Sequence, residues 1–346
     1  MIQKTISYNY SPYTYARISA MKSLLLKRED YTKLGKMTPS EIAFFLQENM
    51  YKNEFNKLGV KYKGTKLVEH SLNLHLTNIF QKIRTICNSD IRYLVDLYLR
   101  RYDYYNIKVI LRAKISRVKD YDTLLIPAGS LDIKKLRKIA SHENVREILN
   151  SSGILRIENY DAEIKHFRQT GSIGKIEDRL DYDYLKESLS QARKIPNKGK
   201  QFRDFFKYDA DAYNLKLLLK KMFYNLSKED VDKFILPSGK YLNRETIDEL
   251  LNVHDYSLFK KVMESSVYDD ILPKHESNDI LLRLEVAFDR YLYKKSLRLF
   301  HQNPMSVDLI LGYMFAKEVE VKNIRAIVKS RQFEETADYV KNMIIT

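Results

Sequence analysis

Three glutamates, Glu69, Glu177 and Glu285, recur at one even interval in a chain of 346 residues. Carboxylates in a set can move protons or ligate a metal, but only when the fold aims them at one reacting atom. Each of these sits in its own copy of a repeated segment, so they converge only if the fold closes around them. A helix-packing or capping role is the reading the pattern supports. Other residues with chemical potential fall short of a motif. Gly171-Ser-Ile-Gly174-Lys175-Ile176 has two residues between its glycines where a phosphate loop has four, and an isoleucine where that loop needs Ser or Thr for magnesium. The seven histidines (70, 75, 142, 166, 254, 275 and 301) include no His-Glu-x-x-His, and His70 and His75 are five apart, on different helical faces. They read as surface residues. One cysteine, Cys87, builds no cysteine-ligated zinc cluster within the chain, and no Gly-x-Ser-x-Gly elbow is present. The sequence therefore points to no catalytic set, no cofactor, no metal and no small-molecule substrate.

The same spacing governs more than the glutamates. Each is followed at +3 by an apolar residue (Leu72, Leu180, Phe288) and at +4 by Asn73, Asp181 or Asp289. Downstream, Asp103-Tyr-Tyr-Asn106-Ile-Lys-Val-Ile-Leu-Arg112 returns as Asp211-Ala-Tyr-Asn214 through Lys220, and again as Glu320-Val-Lys-Asn323 through Lys329. Pro127-Ala-Gly129 and Pro237-Ser-Gly239 form a third marker at nearly the same interval. Several markers at one period mean an internal triplication of a whole small domain, too long for a solenoid repeat. Units of residues 1–124, 125–234 and 235–346 follow, each large enough to enclose a core.

Only 10 Gly and 7 Pro punctuate a chain rich in Leu, Lys, Ile and Glu, which predicts an all-α fold of helices joined by short turns. Leu72, Leu76, Ile79, Ile83 and Ile86, spaced by 4, 3, 4 and 3, mark one face of an amphipathic helix, with a counterpart beginning Leu284, Phe288, Tyr291. After an irregular lead containing Tyr8, Tyr10, Tyr13 and Tyr15, a helix is expected from Ala16 to Lys27. Asn88-Ser-Asp90 reads as a cap leading into a helix from Ile91 to Arg101. The Asp103, Asp211, Glu320 column precedes strongly apolar runs and so reads as a set of N-caps, with Asn106, Asn214 and Asn323 at N3 closing a capping box. Glu caps poorly, so the third copy is expected to be looser there. The Pro-x-Gly pairs read as sharp turns at the joints between units. Residues Ser151 to Lys175 read as a looser connection, and Pro196-Asn-Lys-Gly199 as another exposed turn.

A net charge of +15 attracts acidic partners of several kinds. The lone cysteine suits a reducing compartment, the longest apolar run, Leu309 to Ala316, is far too short for a membrane span, and the first residues lack a secretory pattern. A cytoplasmic protein is expected.

The three helical units, the stretch Tyr13-x-Tyr15-Ala-Arg17-Ile-x-Ala-Met21-x-x-Leu24-Leu25 and the Tyr102-Asp103-x-x-Asn106-Ile-Lys-x-Ile-Leu-Arg112 signature with its echoes resemble the C subunit of archaeal-type and V-type rotary ATPases, the counterpart of the d subunit in eukaryotic V-ATPases. The resemblance spans essentially the whole chain. It implies three similar helical bundles in a funnel with pseudo-threefold symmetry, a rotor component of the central stalk and no active site of its own. It further implies seating on the cytoplasmic face of the membrane against the proteolipid rotor ring, with the shaft made of the D and F subunits received in the mouth, so that torque passes between ion transport and ATP synthesis or hydrolysis. Candidate partner contacts are the polar and basic columns Asp103, Asn106, Arg112, Asp211, Asn214, Lys220, Glu320, Asn323 and Lys329, although capping explains the acids and asparagines equally well. A basic helical adaptor for nucleic acid is the alternative; the rotor reading expects no specific nucleic-acid partner.

Overall fold

The computed structural model describes residues 11–118, 120–195, 199–237, 239–277, 279–302, 306–333 and 342–346. It is all-α, without a strand among the described residues. The lead at Tyr8 and Tyr10 and the turn at 196–198 lie outside that set.

One order of elements occurs three times along the chain: short helices, then two long ones. In the first copy the short helices are α1 (Pro12–Lys22), α2 (Arg28–Leu34), α3 (Pro39–Glu48) and α4 (Lys52–Leu58), and the long pair is α5 (Gly64–Ile86) and α6 (Ser89–Ile115). The second has α7 (Ile133–Ala140), α8 (Val145–Ser151) and α9 (Asp161–Thr170), then α10 (Gly174–Ala192) and α11 (Lys200–Phe223). The third has α12 (Lys228–Asp232), α13 (Arg244–Leu251) and α14 (Tyr256–Met263), then α15 (Ile280–Gln302) and α16 (Val307–Gln332).

Local chemistry sets many of these boundaries. A β-region residue with a side-chain acceptor precedes most short helices: Thr38 before α3, Asp132 before α7, Asn144 before α8, Asn243 before α13 and Asp255 before α14 each accept from the amide three residues on. Thr38 and Glu41 complete a capping box, the Glu41 carboxylate accepting from the Thr38 amide at 2.7 Å. Asn88 caps α6 through the Ile91 amide, as its sequence position implies. Helix α1 stops at Lys22, short of Lys27, and Gly171 ends α9 in the left-handed region at φ 72°. The stretch read as a loose connection from Ser151 to Lys175 holds α9 and a 3₁₀ turn at Ile157–Tyr160.

The chain divides into two compact units. One comprises the described parts of Ser7–Tyr184 and Glu320–Asn342, the other those of Leu185–Val319 and Met343–Thr346. In the first, α5 presents Leu72, Leu76, Ile79 and Ile83 to the interior, joined by Ile42 and Leu46 of α3 and Phe55 of α4. In the second, Leu215, Leu218 and Leu219 of α11 pack with Ile247 and Leu250 of α13, Phe259 and Met263 of α14, and Leu284 and Phe288 of α15. Each such side chain contributes about 1.5–3 kcal/mol relative to leaving it in water. The apolar run from Leu309 to Ala316 belongs to α16 and is buried throughout, and no helix among the described residues is long and apolar enough to cross a membrane.

The caps make a simple expectation measurable. Asp255→Ala removes the acceptor for the Leu258 amide at the start of α14, and should lower stability by about 1 kcal/mol, read as a shifted urea midpoint with an unchanged slope.

Candidate functional site

Asp103, Asp211 and Glu320 do not cap helices. They lie well inside α6, α11 and α16, which begin at Ser89, Lys200 and Val307. The apolar run that resembles a helix start is the middle of a helix already under way. The capping-box role for Asn106, Asn214 and Asn323 falls with it. All six side chains are essentially without solvent exposure.

What the first two pairs hold is the backbone of the loop that follows their helix. Asp103 accepts from the amides of Ser130 (2.9 Å) and Leu131 (2.8 Å) and from the Ser130 hydroxyl (2.8 Å). Asn106 accepts from the Ile126 amide and donates to the Ile126 carbonyl, both at 2.8 Å, as a second strand would. In the next copy Asp211 accepts from the amides of Lys240 and Tyr241 at 2.8 Å, while Asn214 brackets Leu236 in the same two-bond manner. Burial above all pushes the Asp211 carboxyl up from its ordinary range, and bonds from the Tyr268 hydroxyl and the amides of Tyr241, Lys240 and Leu242 pull against it. A buried carboxylate without such donors is strongly unfavourable, so the loop and the acid stabilise each other.

This approach explains the Pro-x-Gly markers. A Cβ built on Gly129 would overlap the Asp103 carboxylate, and one on Gly239 would overlap that of Asp211. Neither glycine is needed for a positive φ; each is needed because a carboxylate occupies the space of its side chain.

The third copy has no Pro-x-Gly loop after its acid, and Glu320 turns instead to the first copy's short helices. It accepts from the Leu26 amide at 2.6 Å, in the link from α1 to α2, and from the buried Tyr51 hydroxyl at 2.5 Å. Tyr51 has counterparts in Tyr160 and Tyr268, all buried and spaced at the period of the repeat. Tyr268 donates to Asp211 at 2.5 Å as Tyr51 does to Glu320. This tyrosine column is legible in the sequence but does not stand out among 26 tyrosines.

The glutamate column has its own partners. Arg112 of α6 donates to both oxygens of Glu177 on α10, at 2.5 and 3.0 Å, and Lys108 one turn earlier pairs with Asp181 at 2.6 Å. Lys216 of α11 pairs with Glu285 of α15, taking the place that Lys220 would have by analogy with Arg112. Lys329 of α16 lies 3.7 Å from Glu69 of α5, and Arg325 donates to Asn73 at 2.7 Å. The second long helix of each copy thus bridges to the first long helix of the next, and the third copy bridges to the first. Lys108, Lys216 and Arg325, two positions after each repeated asparagine, form a basic column that the sequence carries and that only these contacts single out.

Two histidines correct the surface reading. His70 and His75 are buried, His70 edge-on to Tyr62 and His75 against the Tyr51 ring with Nδ1 3.1 Å from Glu54. Burial above all pushes the Cys87 thiol up to about 12, which leaves it unreactive as a thiolate at neutral pH. Among the described residues no group of His, Cys, Asp or Glu is arranged to hold a metal. The repeated acids have their oxygens engaged by the chain's own donors, and the arrangement fixes backbone against helix.

Two expectations follow from these contacts. Gly239→Ala should cost about 1–3 kcal/mol by driving Asp211 off its loop, seen as a lower melting temperature. Arg112→Glu should cost roughly 1 kcal/mol or less, because Arg112 is largely solvated and such pairs are screened. Adding Glu177→Arg should recover most of it in a double-mutant cycle.

The family described as ATP synthase (C/AC39) subunit matches residues 14–343. The C subunit of the A-type ATP synthase of Methanococcoides burtonii is 31% identical over 350 residues, covering 99% of this chain and 96% of the relative. Its equivalent in Methanosarcina barkeri is 30% identical over 349 residues, with 99% and 94% covered, and that of Haloferax volcanii is 30% identical over 326 residues, with 92% and 93% covered. A match that runs from the first short helix to beyond the last long one places the chain in the ATP synthase (C/AC39) subunit family.

Proposed function

We propose that this protein is a non-catalytic central-stalk subunit of an A-type or V-type rotary ATPase, acting as the socket between the membrane rotor ring and the shaft of the D and F subunits. The observation that carries the reading is the family match over nearly the whole chain, with relatives that are the C subunits of A-type ATP synthases. Three domains, residues 1–124, 125–234 and 235–346, surround a pseudo-threefold axis in this reading. The threefold order of elements supports that arrangement, as does the cyclic course of the bridges: α6 to α10, α11 to α15, and α16 to α5.

A part that carries torque must resist shear at every junction. Close-packed helices compress little, and a buried acid holding a loop cannot slide without exposing unpaired amides. Because the six buried acids and asparagines face inward, shaft and ring contacts fall to the exposed cations of the candidate set, Arg112 and Lys329, and to other surface residues. The positive charge assists docking near anionic headgroups or acidic subunits over about 8 Å at physiological salt. The protein is peripheral to the membrane in this reading, on its cytoplasmic side.

Tagged protein drawn from detergent-solubilised membranes should bring ring, shaft and nucleotide-binding subunits with it, identified by mass spectrometry, while the purified chain alone should hydrolyse no ATP. Recovery of nucleic acid with a steep loss of binding in salt, and no ATPase subunits, would overturn the reading.

A further inference from the structure

A pocket of about 360 Å³ opens where the end of α11 meets the turn between α13 and α14, lined among others by Lys221, Lys228, Asn252 and His254. Lys221 is only 5% exposed, and its ammonium makes one hydrogen bond, to the Val253 carbonyl at 3.2 Å. An ammonium carries three donors, so two have no protein acceptor among the described residues. Lys228 donates to the Asn252 amide oxygen at 2.9 Å, which satisfies a donor without cancelling its charge. Neither lysine forms an ion pair among the described residues. Burial lowers the Lys221 pKa, and the Lys228 charge lowers it further, so an anion in the pocket would relieve both effects.

The repeat supplies an internal comparison. A pocket of about 350 Å³ lies at the corresponding end of α6; there Lys114, which the repeat aligns with Met222 and not with Lys221, pairs at 2.9 Å with Glu143, whose side chain is largely exposed. Glu143 is the residue just before Asn144, the N-cap of α8. The residue just before Asp255, the N-cap of α14, is His254. One copy therefore carries its own carboxylate at this position and the other does not. The C-terminal end of α11 offsets part of the Lys221 charge, but it supplies no acceptor for the unused donors.

We propose that the pocket around Lys221, Lys228 and His254 binds a phosphate-class oxyanion, the residue before the N-cap being a histidine here where the pocket at the end of α6 has the carboxylate of Glu143. Charge-assisted bonds from two ammonium groups suit tetrahedral oxygens. Leu226, which lines the pocket and is exposed, offers apolar surface to the rest of a phosphorylated ligand.

The test uses the full chain, with inorganic phosphate compared with chloride at equal ionic strength, by calorimetry and thermal shift. Phosphate should bind and raise the melting temperature. Lys221→Met should weaken its binding at least tenfold, and Lys114→Met should leave it unchanged. His254→Glu, which copies the other pocket, should abolish phosphate binding while raising the melting temperature in phosphate-free buffer; this variant separates lost binding from lost folding. Cosedimentation with phosphatidylglycerol vesicles, absent with phosphatidylcholine and dependent on Lys221, identifies a lipid headgroup as the source. Phosphate binding without it identifies a soluble phosphoryl ligand. Equal behaviour in phosphate and chloride, or undiminished binding in His254→Glu, would overturn the proposal.

Discussion

A carboxylate buried in the middle of a long helix is tolerated only if the backbone around it supplies donors, and that requirement organises this protein. Asp103 and Asp211 each draw a following loop against their helix through two or more amides, and the neighbouring asparagine fixes a further residue of the same loop by two bonds. The cost of burying the charge is met only in one geometry. Such an anchor therefore specifies where each loop enters the next set of short helices more sharply than apolar packing would.

The third anchor shows what the constraint is for. Glu320 has one more methylene than Asp and holds the link after α1 and the hydroxyl of Tyr51, so the last long helix is tied to the first short ones. The expectation that Glu would leave this copy loose rested on N-capping, a role none of the three residues plays. A longer acid suits a place where the loop has no glycine to let the carboxylate come close.

The outer bridges follow the same succession with less energy. Arg112, Lys216 and Lys329 reach the glutamate column from exposed or half-exposed positions, where an ion pair contributes about 1 kcal/mol at most. Their worth lies in register: each sets one long helix against the next copy's first long helix. Anchors inside and bridges outside thus repeat one scheme, in which buried acids fix backbone to a long helix and exposed ion pairs set that helix against the next.

The sequence by itself determined the helical class, the period of the repeat, the face of α5 and the absence of a recognisable catalytic motif. These rest on composition and on spacings shorter than one helix or equal to the repeat, which a linear string displays directly. It also carried the family resemblance, because the repeated columns stand in order. The direction in which those columns act was decided by the tertiary structure. Asp103 looked like a cap because an apolar run follows it, and nothing local reveals that Ser89 had already begun the helix. The glycines looked like turn formers, whereas their missing side chains make room for carboxylates carried by the preceding long helix. His70 and His75 looked solvated until Tyr62, Tyr51 and Glu54 were found around them. In each case the deciding partner lies on another element, and only folding brings the two together.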